Sequence, residues 1–235
     1  MKRILMILAS ALLLMGLAAC GAIQEKVDAN VYEKIHRQLL TMESFEAQAT
    51  VTYISNNNTH TYETLQKART TGEYRIEVIS PLNVAGNTTV YDGSAISQFN
   101  PQVDGRISQT TVEAPERLEI LLTSFVRNFI RSEETVVTAA ALDEAITTVL
   151  DAPIPGEHPY LSLARLWVSN ETLKPIKMVI FDSANIERIV VIYNSFEYNV
   201  DLNDDVFKAQ AAPANTEPQD DDPQNPTNDA PVDDV

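Results

Sequence analysis

Phe45-Glu46-Ala47-Gln48-Ala49-Thr50-Val51-Thr52-Tyr53 alternates apolar and polar side chains one by one. Successive side chains of an extended chain point to opposite faces, so this stretch predicts a strand with one buried side. Phe45, Ala47, Ala49, Val51 and Tyr53 would share that side. Just upstream the period changes: Val31, Ile35, Leu39 and Met42 recur at helical spacing behind Asp28 and Asn30, two side chains suited to an N-cap. A helix over 31–42 therefore opens the domain and lays one face against the sheet that follows.

Downstream, Asn56-Asn57-Asn58 turns the chain, and further strands are expected over 61–68, 74–79, 88–91, 95–99 and 106–111. Gly72, Asp92-Gly93 and Asp104-Gly105 punctuate them, the Asp-Gly pairs being hairpin signals because glycine accepts the positive φ such turns require. A second helix should begin at Pro115-Glu116, carry the stripe Leu118, Leu121, Leu122, Phe125 and Phe129, and end near Arg127 and Arg131. Acid at its start and base at its end agree with the helix dipole. Strands over 145–150, 161–169, 176–181 and 187–194 follow. This order predicts an α+β domain at 31–210, a strongly curved antiparallel sheet covered by helices.

The flanks read differently. Met1-Lys2-Arg3 precedes an apolar run that is shorter than a membrane span and closes in small residues, which marks 1–19 as a signal peptide. Leu17-Ala18-Ala19-Cys20 is similar to the bacterial lipobox, in which the cysteine receives a diacylglycerol and becomes the first residue after cleavage. Cys20 is the chain's single cysteine, so no disulfide can form within one copy. Two acyl chains suffice for stable anchoring where one is marginal, and 20–30 would be the lipidated cysteine and a spacer. The expected location is the exterior face of the cell membrane. Residues 211–235 hold five of the twelve prolines, seven acidic residues and no basic one, the composition of a disordered acidic tail. Asp220-Asp221-Asp222 lacks the ligand spacing of a calcium loop.

Composition removes whole classes of function. Of 235 residues 33 are acidic and 17 basic, a formal charge of −16, which disfavours a nucleic-acid surface. The seven glycines form no dinucleotide fingerprint, and no lysine follows the pair Gly16/Gly21, so both standard phosphate-cradling loops are missing. His36, His60 and His158 are isolated from one another, without a second His or a Cys at metal-ligand spacing. Glu133-Glu134 and Asp204-Asp205 read as solvated carboxylates in an acidic chain, and Trp167 as a core residue of its strand. No cofactor, metal site or catalytic residue is expected, and the chain is read as a non-enzyme.

Further stretches resemble a known family. Tyr74-Arg75-Ile76-Glu77-Val78-Ile79-Ser80-Pro81, Val90-Tyr91-Asp92-Gly93, Phe99-Asn100-Pro101-Gln102, Leu166-Trp167-Val168 and Thr172-Leu173-Lys174-Pro175 resemble the LolA-like lipoprotein superfamily. Residues 125–133, Ile154-Pro155-Gly156, Tyr193 and Phe196-Glu197-Tyr198-Asn199 are similar, within it, to the germination lipoprotein GerS family of spore-forming clostridia. The likeness spans 31–208. It implies a half-open β-barrel with a helical lid, no catalytic machinery, and binding to a cortex-modifying N-acetylmuramoyl-L-alanine amidase in spore germination, in the forespore intermembrane space. The wider superfamily implies an alternative, a carrier or chaperone holding acyl chains in an apolar cavity.

Overall fold

The computed structural model describes residues 27–103, 107–111, 118–142, 145–156 and 158–209, apart from the side chains of 107–109 and 111. Helix α1 spans Ala29–Leu40. It starts two residues before the sequence pattern because Asp28 is its N-cap, accepting the N–H groups of Asn30 and Val31 at 2.8 and 3.4 Å. Ile35 and Leu39 are its buried side chains.

Eleven strands form one antiparallel sheet: β1 (Ser44–Ile54), β2 (Thr59–Arg69), β3 (Tyr74–Ser80), β4 (Thr88–Tyr91), β5 (Ala95–Phe99), β6 (Ile107–Thr111), β7 (Val136–Leu142), β8 (Ala145–Pro153), β9 (Leu163–Ser169), β10 (Pro175–Phe181) and β11 (Glu187–Tyr198). Their spatial order is β6-β5-β4-β3-β2-β1-β11-β10-β9-β8-β7. The chain meanders outward from β1 to one edge, crosses to the far edge by way of helix α2 (Leu122–Arg131), and meanders back until β11 pairs with β1. β1 and β11 thus join two meanders at the centre.

The expected α+β class and antiparallel sheet are present, but two details of the expectation are corrected. The edge strands β6 and β7 do not pair with each other, and the sheet is open, neither closed nor strongly curled toward the expected half-open barrel. Nor is it covered by helices. Only α1 and α2 pack on it among the described residues, both on the face carrying Phe45, Ala47, Ala49 and Val51. Among the described residues the opposite face receives the short 3-10 turn Asp204–Phe207, where Phe207 and Leu202 pack with Val90 in a separate small cluster.

One helix start differs from the expectation and one strand is additional. Residues 112–117, with the expected helix start Pro115-Glu116, lie outside the described residues, and Leu118–Leu121 forms a turn before α2. β7 was not expected as a strand, since Val136-Val137-Thr138-Ala139-Ala140-Ala141-Leu142 carries no alternation and none of its side chains is fully buried.

The turn chemistry between β4 and β5 behaves as the sequence indicates. Gly93 takes φ 96°, and Asp92 Oδ1 accepts the N–H groups of Ser94 and Ala95, each at 2.8 Å. Those backbone donors hold the Asp92 carboxyl below the usual aspartate range.

Candidate binding site

The helix-bearing face of the sheet differs from end to end. From β1 through β8 it presents Val191, Met178, Ile180, Ala164, Leu166, Val168, Leu150 and Ala152, all fully buried under the two helices. α2 contributes Phe125 and Phe129, stacked with centroids 5.9 Å apart, and Phe129 meets the edge of His36 on α1 at 6.4 Å. That half is a closed core.

Across β2–β5 the same face is only partly roofed among the described residues. A cavity of about 290 Å³ lies there, with Ile76, Val78 and Ile96 on the strands and Leu118 and Ile120 of the turn before α2 above. Tyr53, Tyr62 and Tyr74 also line it, Tyr53 and Tyr62 meeting edge to face at 6.1 Å. Burial, with Tyr62 alongside, raises the Tyr53 phenol above its ordinary pKa, although part of the ring remains exposed. Polar groups interrupt the apolar wall. The Thr64 hydroxyl donates to Ala49 O at 3.0 Å and accepts from Gln66 Nε2 at 3.2 Å, whereas the buried Gln66 Oε1 has no partner. Thr89 and Gln98, a directly opposed cross-strand pair, complete this wall.

A second hollow of about 420 Å³ adjoins at that pair and is bounded by Asn87, Thr88, Asn100 and Val103. Asn87 Oδ1 is another buried acceptor without a partner. In the loop beneath, Gly86 has φ 84°, and a Cβ there would sit 2.9 Å from Pro101 Cγ, so glycine lets the β3–β4 and β5–β6 loops touch.

The polar residues singled out in the sequence do not converge. His36 sits on α1 beside Tyr32 and Phe129, His60 is exposed on β2, and His158 is exposed in the β8–β9 connection with its ring 6.0 Å from Tyr160. Glu133 and Glu134 are exposed after α2. Asp204 pairs with Arg69 at 2.8 Å and Asp205 with Lys208, which keeps the Asp205 carboxyl below its ordinary range. Among the described residues no three His, Cys, Asp or Glu side chains cluster as a metal site, and no helix is long and apolar enough to cross a membrane. Leu17, Ala18, Ala19 and Cys20 lie outside the described residues, as do residues 211–235.

The expectation that Trp167 is core is corrected. On β9 the inward residues are Ala164, Leu166 and Val168, which places Trp167 on the outer face, half-buried between Arg165 (5.9 Å) and Lys177 (5.2 Å). Arg165 binds Asp151 through two 2.7 Å hydrogen bonds and also lies over Phe181, so this face is held by cation–π and ionic contacts. At one end of the sheet, buried Asp182 accepts the N–H groups of Ile186 and Ala184 and pairs with Arg188 at 2.6 Å. Arg188 in turn donates to Asn56 Oδ1 and covers Tyr160, clasping three loops. The Ile186 N–H, then Arg188, hold the Asp182 carboxyl below the usual range.

An open antiparallel sheet with one helix-bearing face, sealed over half its width and hollow over the other, defines an α+β protein with a cavity suited to binding. The chain belongs to the YdcC-like sporulation protein family, whose model matches residues 1–207. No curated protein matches it significantly in sequence. Solved structures resemble it in outline. An uncharacterized conserved protein from Thermus thermophilus is 11% identical, with 77% of this chain and 93% of that one covered and a TM-score of 0.49. A chain from the complex of the CwlD amidase of Clostridioides difficile with the GerS lipoprotein is 27% identical, with 74% and 98% covered and a TM-score of 0.45. A LolA superfamily protein from Nitrosomonas europaea is 14% identical, with 77% and 96% covered and a TM-score of 0.40.

Proposed function

We propose that this protein is a non-catalytic binding partner in sporulation and germination, tethered through Cys20 to the exterior face of the membrane, where it engages a cortex-modifying N-acetylmuramoyl-L-alanine amidase. The observation that carries this reading is membership of a sporulation family over residues 1–207, a span that includes the expected leader and lipobox and every described helix and strand. The stretches that resemble the GerS family support the amidase as partner. The lipobox supports the tether: a diacylated cysteine would keep the domain at the surface where cortex is remodelled.

A second reading has its own support. The cavity over β2–β5 has the size and the mostly apolar lining of a small-molecule site, which favours a carrier of acyl chains. Affinity capture of the tagged chain from sporulating cells separates the two. Recovery of the amidase, lost from the membrane fraction in a Cys20→Ala variant, is the expected result. Stoichiometric extractable lipid without amidase would replace the first reading with the second.

A further inference from the structure

We propose that the outer face of β9–β11 is a docking surface for the chain's own acidic C-terminal segment, residues 211–235, which sets its carboxylates against Lys177 beside Trp167. The contact is independent of the amidase and carrier readings. Trp167, Lys177, Ile192 and Thr50 are successive cross-strand neighbours on β9, β10, β11 and β1, so they form one row across this face. The row combines a half-buried indole, an ammonium 5.2 Å from its ring, and an aliphatic side chain that is 44% exposed. Among the described residues, the element on this side of the sheet is the 3-10 turn, which meets β3 and Val90 and leaves Ile192 uncovered.

Charge selects the occupant. Arg165, Lys174 and Arg188, the neighbouring basic side chains, each hold a carboxylate, on Asp151, Glu197 and Asp182. Among the described residues Lys177 has no such partner, and its ammonium lies over the Trp167 ring instead. Residues 211–235 carry seven acidic side chains and no basic one, so they can supply the missing carboxylate. Reach agrees with charge. Ala209 borders Leu65, Lys67 and Arg75 over β2 and β3, on the same outer side. From β3 to β10 is four strand spacings, about 19 Å. Ala209 to Asp220 is eleven residues, which extend to about 36 Å, so Asp220-Asp221-Asp222 reaches the row with slack. Surface ion pairs are weak singly, but a segment joined to its own docking face meets it at a high effective concentration.

Trp167 is the chain's single tryptophan, so its fluorescence reads this surface alone. The probe is acrylamide, an uncharged quencher, applied to the purified full chain and to a variant with Glu217→Gln, Asp220→Asn, Asp221→Asn and Asp222→Asn, which leaves every described residue as it is. At low salt the unsubstituted chain should be quenched less than the variant. In about 1 M NaCl, where the screening length falls to about 3 Å, its quenching should rise to the variant's level. In a Lys177→Gln background the acidic and neutralised segments should give equal quenching. Equal quenching at low salt with Lys177 in place would overturn the docking surface, and a difference that survives Lys177→Gln would overturn its place on this row. A difference that grows with protein concentration would assign the segment to a second copy and overturn the intramolecular contact.

Discussion

The two halves of the sheet follow one rule of alternation and reach different ends. On β8–β10 the inward positions are Leu150, Ala152, Ala164, Leu166, Val168, Met178 and Ile180, packed under α1 and α2 with almost no exposure. On β2–β5 the inward positions include Thr64, Gln66, Thr89 and Gln98 among tyrosines and Ile76, and a turn covers them in place of a helix. The difference is one of roof. Helices supply enough apolar surface to seal one half, and among the described residues Leu118 and Ile120 are what lies over the hollow in the other. A rigid frame beside an incompletely roofed face is what a binding protein needs, since binding groups are best held by a scaffold that does not itself move.

Leu166→Ala, in the sealed half, should cost about 2–5 kcal/mol by urea unfolding, because the surrounding core cannot collapse into the space. Ile76→Ala, facing the existing cavity, should fall at the low end of that range or below it, about 2 kcal/mol or less. Equal losses at the two sites would break the distinction between sealed and hollow halves.

Tyr198 and Tyr193 sharpen it on β11. The Tyr198 hydroxyl donates to Leu173 O at 3.0 Å, whereas the buried Tyr193 hydroxyl has no partner. Tyr198→Phe should therefore cost about 1 kcal/mol and Tyr193→Phe nothing or less. Burial raises both phenols above their ordinary values, Tyr193 with a contribution from Tyr198. Unfolded tyrosines lose their protons near pH 10 and these folded ones do not, so stability should fall as pH rises past about 10. Denaturant midpoints from pH 9 to 11.5 should show this loss, lessened in the Tyr193→Phe, Tyr198→Phe double variant.

A smaller effect is expected at acid pH. The Asp182 carboxyl is held below its unfolded value, so its contribution is present above the ordinary aspartate range and declines as pH falls through it. Asp182→Asn should lower the unfolding midpoint at pH 7 and flatten its dependence between pH 5 and 3, read by thermal melts. The smallest effect should be kinetic. Amides of β3–β5 should exchange faster with solvent than those of β8–β10, since exchange follows local packing.

Much of this frame was legible in the sequence. β1, β3, β4, β5, β9 and β10 stand close to where alternation and Asp-Gly or glycine turns place them. Alternation shows which residues share a face but says nothing of what covers that face, so the openness of the sheet and the hollow over β2–β5 were hidden. β2 shows why: hydrophobicity favours Leu65 inside, yet Gln66 is the buried residue, and Leu65 faces the 3-10 turn beside Val206 on the other side. β7 was missed because alanines carry little pattern. Trp167 was misplaced by its size, although Arg165, two residues earlier and hence on the same face, was the signal for an outward position.

The proposal that the molecule acts by binding, with no hydrolysis of its own, is open to direct test. The measurement is a release assay on purified cortex peptidoglycan with three samples: the purified chain, the sporulation amidase of the same organism, and both together. A binding partner should give no cleavage alone and raise amidase cleavage when it is added. Cleavage by the chain alone that a single carboxylate, serine or histidine substitution abolishes would contradict that proposal.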